Sequence, residues 1–229
     1  MPPTRLEILY EDNHLLAVNK PAGLPTMGVA SGVSSAYRLA SQYIKHKYRK
    51  PGAVYLGVMS RLDAVTTGVV LLARTSKAAR RLTEQFRTHR AQKEYLAIIS
   101  GALAPPEGEM VDWLVKDEAA RRMVVVERTC PSAKEARLRY QTVRHLDGGK
   151  LLRIELVTGR KHQIRVQLAA RSCSVWGETK YATGVPFSPG IALHARTLVV
   201  EHPVRREPLE LTAPLPESWR AVGVDEEEV

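Results

Sequence analysis

The chain has 229 residues, 44% of them hydrophobic, and a formal net charge of +10. That much apolar material can bury a sizeable core, and a 25% charged fraction with ordinary glycine and proline usage excludes a disordered or fibrous chain. The only two cysteines, Cys130 and Cys173, exclude a disulfide scaffold and lack metal-ligand spacing, so a reducing, cytoplasmic setting and no metal site are expected.

No apolar run approaches membrane-spanning length, and the first residues lack the apolar core of a signal peptide, so no membrane partner is expected. The positive excess points instead to a polyanionic partner. In chain order, LEILYEDNHLLAVNKPAGLPTM reads as two short strands around an Asp12-Asn13 turn, then a Pro-Gly loop. SSAYRLASQYIKHKYRK is a helix with Ala36, Leu39 and Tyr43 at apolar spacing and a basic C-terminal end. VMSRLDAVTTGVVLLART carries one acidic residue, Asp63, between Arg61 and a Thr66-Thr67-Gly68 turn, ahead of an apolar strand. Thr75 or Ser76 can cap a second helix, SKAARRLTEQFRTHR, whose stripe is Ala78, Leu82 and Phe86.

KEYLAIISG is a buried strand, and APPEGEMVDWLVKDE reads as an insertion or loop. EARLRYQTV alternates through Ala136, Leu138 and Tyr140, KLLRIELVTG through Leu152, Ile154 and Leu156, and DGGK between them is a hairpin turn. RKHQIRVQLAARS is helical, with Ile164 and Leu168 inward. IALHARTLVVEH and LELTAPLP are late strands, and the acidic tail over 223–229 is expected to fray. Strands outnumber helices, so the expected fold is α+β, a central mixed and mostly antiparallel sheet flanked by helices.

Between Arg74 and Lys93 seven basic residues, among them Arg80, Arg81 and Arg87, stand against Glu84 alone. Such a run is either a solvated helix face or a surface that contacts phosphates and releases counterions. TGRKHQIR is a second basic group, in which Lys161 and Arg165 share a face if helical. His162 by itself reads as a hydrogen-bonded structural residue. There is no phosphate-binding glycine loop and no nucleophile elbow. Asp63 is either a turn-capping residue or a functional carboxylate, and its spacing leaves both open.

Several segments, in order, resemble the RluA-type family of pseudouridine synthases. ILYEDNHLLAVNKPAGL is similar to the family's opening strands and Asn-Lys-Pro-Gly loop. SRLDAVTTGVVLLA resembles its catalytic motif, KEYLAIISG the segment with its active-site tyrosine, and LVTGRKHQIRVQLA its third motif. LHARTLVVEHP and APLP resemble its last strands. Ser60 stands where the family usually has His, Thr67 where it has Ser, and Gln167 where His is common.

The resemblance implies an enzyme that isomerises uridine to pseudouridine in structured RNA without a cofactor, by base flipping, from a basic catalytic cleft. It implies Asp63 as the catalytic aspartate, Arg165 as its basic partner, and Tyr95 as the residue against the uracil ring. Arg61 would fill the gap left by the flipped nucleotide, with Lys20, Arg160, Lys161 and the helix arginines Arg80, Arg81 and Arg87 on the RNA side or in support. One catalytic domain with a core from about residue 6 to 218 is expected, as a monomer and without an appended N-terminal RNA-binding domain. Ribosomal RNA is the favoured substrate, with transfer RNA or a non-catalytic RNA-binding role as the alternatives.

Overall fold

The computed structural model describes residues 5–30 and 32–228. Its elements are β1 (Glu7–Glu11), β2 (Leu15–Lys20), α1 (Ala36–Lys47), β3 (Gly57–Val58), β4 (Thr67–Ala73), α2 (Ser76–Arg87), β5 (Gln92–Ser100), β6 (Glu107–Asp117) and β7 (Arg122–Val126). They continue with β8 (Lys134–Leu146), β9 (Gly149–Leu156), α3 (Gln163–Ala169), β10 (Ser174–Val175), β11 (Leu193–Glu201), β12 (Pro208–Thr212) and α4 (Glu217–Arg220). The fold is α+β, as expected, and the described chain forms two compact units.

The first unit runs up to Gln92 and takes back residues 194–216. Its strands lie in the order β1-β2-β4-β11-β12, antiparallel except that β4 and β11 run parallel, with β3 also paired to β4. The first hairpin forms because the Asp12 carboxylate accepts from the backbone of His14 and Leu15, each at 2.7 Å, which closes the turn. All seven residues of β4 are buried, the signature of a strand covered on both faces. Leu15, Leu71, Leu82 and Leu198 meet in the core of this unit, where each fully buried Leu contributes roughly 1.5–3 kcal/mol.

Helix α1 starts at Ser35, whose hydroxyl accepts from Arg38 N, and it buries Ala36, Leu39, Ala40 and Ile44. Tyr43 lies at the margin instead, with its hydroxyl on Glu11. Helix α2 is capped by Thr75 and buries Ala78, Ala79, Leu82 and Gln85. Of the expected stripe Ala78 and Leu82 are buried and Phe86 partly so, while Ala79 and Gln85 are additions. The Gln85 amide donates to Glu201 O and accepts from Glu201 N, both at 2.8 Å, and so fastens the helix to β11.

The second unit spans 93–193 and the residues from 217 onward. Its strands are antiparallel throughout, in the order β10-β5-β9-β8-β6-β7. The alternation of β8 and β9 holds: Ala136, Leu138, Tyr140, Leu152, Ile154 and Leu156 are buried. The segment expected as a loop is the strand β6. Its two deeply buried residues, Met110 and Leu114, are four apart, with half-buried Val111, Asp112 and Trp113 between them, so its period-2 signal is weak, yet Glu107 to Leu114 pair with β8. The first residues of the acidic tail, Gly223 and Val224, are packed rather than frayed. Val224 is fully buried, its N–H bonds Trp219 O at 3.0 Å, and the Arg144 side chain donates to Gly223 O. Residue 229 lies outside the described residues. No helix among the described residues is long and apolar enough to cross a membrane.

Candidate active site

In the first unit, Asp63 sits on the turn between β3 and β4, where Thr66 N bonds Asp63 O at 3.1 Å. Buried bonds brace the turn. The Thr26 hydroxyl donates to Leu62 O (2.8 Å) and accepts from Leu62 N (3.0 Å). Gly23 N donates to Ala64 O at 2.8 Å, and the Ser60 hydroxyl accepts from Leu71 N at 3.0 Å. The loop of the NKPAG stretch therefore forms a bracket under the Asp63 turn. Leu62 is buried, Asp63 is half-buried and Arg61 is exposed, so alternate residues serve the core and the surface.

Gly68 has a positive φ of 113°, and a Cβ there would lie 2.2 Å from Ala195 O. The glycine lets β4 approach β11, and the adjacent Thr67 hydroxyl meets Nδ1 of the fully buried His194 at 2.8 Å. Two departures from the family pattern thus have local reasons: Ser60 ties the turn to β4, and Thr67 ties β4 to His194. Gln167, the third, is fully buried and its amide donates to Asp112 Oδ2 (2.7 Å), Met110 O and Ala136 O.

Lys20 is withdrawn from the surface. It has no exposed surface, and its Nζ donates to the carbonyls of Pro21 (2.8 Å), Leu24 (2.8 Å) and Ala64 (3.1 Å). A contact with RNA backbone is closed to it, whereas support of the Asp63 turn is what its bonds provide. Burial pulls its pKa down to about 7, against the upward pull of the Asp63 charge. The ordinary lysine value is about 10.4, so between about pH 7 and 10 the unfolded chain binds the extra proton and the Lys20 contribution to stability rises with pH. Urea unfolding of Lys20→Met across that window is expected to lack this rise. A variant with the parent's pH slope would show that Lys20 keeps its ordinary affinity for protons.

The second unit holds Tyr95 on β5 and Arg165 on α3. The sequence TGRKHQ forms a closed turn before α3. The Gln163 side-chain oxygen accepts from the Thr158 hydroxyl (2.8 Å) and Arg160 N (2.9 Å), and its amide donates to Arg137 O. His162 caps α3 in the left-handed conformation and its ring meets the Tyr181 hydroxyl, a structural partnership. The helix begins only at Gln163, so Lys161 precedes it and the helical pairing of Lys161 with Arg165 does not arise. Arg160 and Lys161 are exposed, and Arg160 Nε donates to Glu135 O. The positive charge of Arg160 and, before it, burial bring Lys93 down to about 8.

Arg165 has a partner that the sequence reading missed. Its Nε and Nη2 meet the Glu178 carboxylate at 2.7 and 2.9 Å, with side chains 7% and 2% exposed. Glu178 Oε1 also accepts from the N–H groups of Thr179, Lys180 and Tyr181. Burial pushes the Glu178 pKa up, but Arg165 and these N–H groups outweigh it and hold the carboxyl below its ordinary range. Tyr181 lies under the Arg165 guanidinium, 5.3 Å from ring centre to Cζ. Glu178 stands in WGETKY with no motif around it, so only its place in the fold reveals it.

The basic run on α2 is less open to a partner than its composition suggests. Arg80 is exposed, but Arg81 donates to Pro203 O at 2.5 Å and Arg87 forms a two-pronged pair with Glu84 at 2.6 and 2.9 Å. Arg74, before the helix, is drawn to Glu11 and stacks on Tyr48. Among the described residues no group of three or more His, Cys, Asp or Glu is placed to hold a metal ion.

Comparisons with known proteins bear on the family of the chain. Residues 14–170 match the family model described as RNA pseudouridylate synthase. The dual-specificity RNA pseudouridine synthase RluA of Escherichia coli (strain K12) is 31% identical over 213 residues, 91% of this chain and 93% of that protein. The ribosomal large subunit pseudouridine synthase D of Xanthomonas campestris is 31% identical over 229 residues, covering 93% of this chain. This chain spans only 66% of the length of that relative. Among solved structures, human RNA Pseudouridylate Synthase Domain Containing 4 superposes with a TM-score of 0.76 at 26% identity, covering 94% of this chain and 92% of that one. Human RNA Pseudouridylate Synthase Domain Containing 1, at 24% identity and a TM-score of 0.72, shares the fold. With a family model matching more than half of its length and a relative matched over nearly the whole of both proteins, the chain belongs to the RNA pseudouridylate synthase family.

Proposed function

We propose that this chain isomerises uridine to pseudouridine in RNA, with Asp63 as the residue that acts at C1′ of the ribose. The observation that carries the reading is the Asp63 turn: one half-buried carboxylate on a turn whose backbone is braced by Thr26, Ser60, Gly23 and Lys20, in the stretch that resembles the family's catalytic motif. Preorganisation of this kind spares the site reorganisation when charge develops. The C1′–N1 bond breaks, the uracil turns, and C1′ bonds C5. The C5 hydrogen leaves as a proton and N1 ends protonated, so atoms and electrons balance without a co-substrate. Asp63 either attacks C1′ directly or assists loss of the C2′ proton to a glycal while stabilising positive charge.

Family likeness supports Tyr95 as the group against the uracil and base for the C5 proton, and Arg165 as the basic partner of Asp63. Arg61 is exposed beside the turn, as a residue must be to enter the stack when a nucleotide flips. Arg80, Arg160 and Lys161 are the exposed cations suited to phosphate contacts. Arg81 and Arg87, already held, add to the field more than to direct contact. We take ribosomal RNA as the favoured substrate because relatives carry that substrate in their names, with transfer RNA as the second reading. Mapping pseudouridines in total RNA with and without the gene is the test. Loss of specific ribosomal positions is expected, loss confined to transfer RNA would move the target, and an unchanged map would overturn the reading.

A further inference from the structure

A groove of about 720 Å³ lies on the first unit between α1 and the loop that starts at Met27. The loop lends it an apolar wall, Met27, Val29 and Val33, and Val54 also lines it. The other wall is a stripe of α1 in which Arg38, Ser41, Gln42 and Lys45 fall at i, i+3, i+4 and i+7 and so share one face. Tyr37 adds an aromatic ring. Among the described residues two cations and no acidic residue line the groove, so its charge suits an anion. Its apolar wall suits a flat ring. Ser41 lines the groove, and its hydroxyl has no hydrogen-bond partner among the described residues. Exposed Met27 and Val33 keep an apolar edge open to solvent, at 39% and 47%.

We infer that this groove binds an unpaired nucleotide of the RNA substrate, with the base against Tyr37 and the aliphatic wall and the phosphate toward Arg38 and Lys45. The inference rests on the proposed RNA activity and adds a seat outside the Asp63 turn. The two are joined through backbone: Ala36 N and Tyr37 N bond Pro25 O and Thr26 O, and Thr26 in turn holds Leu62. A nucleotide in the groove would thereby order the segment that braces Asp63. Base-paired RNA cannot offer a free ring, so the groove selects single-stranded flanks.

The test uses the full chain and a short unstructured RNA oligonucleotide, with a duplex of the same sequence alongside. For Arg38→Gln with Lys45→Gln, the slope of log affinity against log salt on the single strand is expected to flatten by about 1.4, the value for two phosphates of a single strand. Tyr37→Ala is expected to weaken single-strand binding about fivefold or more, and Tyr37→Phe to restore it, since stacking needs only the ring. Duplex binding should change little. Parental affinity and salt slope in these variants would overturn the inference, as would an equal loss on the duplex, which would mark a merely charged surface. A failure of the enzymatic reading looks different: the parent chain would isomerise no RNA, yet these variants would still lose single-strand binding.

Discussion

Asp63→Asn is expected to lose isomerisation to below about one per cent of the parent rate while RNA affinity and folding stay near parental, a loss in the usual range for removal of a catalytic side chain. The amide keeps the size of the carboxylate, and the bonds that shape the turn use the backbone of residues 62–66 and the side chains of Lys20, Thr26 and Ser60. The substitution therefore leaves the bracket intact. What it removes is the negative charge that can attack or stabilise C1′. Tritium release from RNA labelled at uridine C5 measures the chemistry directly. Turnover clearly above one per cent, with the turn still folded, would remove Asp63 from the mechanism.

The second large effect is expected at the Arg165–Glu178 pair. Removing one partner of a buried ion pair leaves the other charge stranded, at a cost of about 3–5 kcal/mol. Glu178→Gln and Arg165→Met should each lower the urea midpoint strongly, and the double variant should cost less than the two added together. Acid sensitivity follows from the same pair. Glu178 titrates below its ordinary range, so its stabilisation is present above the unfolded value near pH 4.3 and is lost as pH falls through the depressed folded value. Glu178→Gln should lose that portion of the acid transition. Arg165→Met carries an additional signature: as the proposed partner of Asp63 it should also slow single-turnover isomerisation at saturating RNA, under conditions where the variant stays folded. A rate per folded molecule equal to the parent's, with stability lost as in Glu178→Gln, would confine Arg165 to a structural role.

By itself the sequence determined the local elements and the family. Alternating apolar residues made β8 and β9 legible, the Asp12 turn and the Thr75 cap are written in side chains that bond their own backbone, and the ordered motifs located Asp63. These signals lie within a few residues of one another, so a linear reading captures them. The tertiary structure decided what depends on distant partners. Strand β6 exists because β8 pairs with it, Val224 is buried only where Trp219 and Arg144 meet the tail, and Lys20 is withdrawn from solvent by carbonyls that include one 44 positions away. Glu178 acquires meaning from Arg165, 13 residues earlier, and Arg81 loses part of its freedom to Pro203, 122 positions away. Charge is legible in a sequence, but whether a charge faces water, a carbonyl or an opposite charge is set by burial and by long-range bonds, which the fold alone supplies.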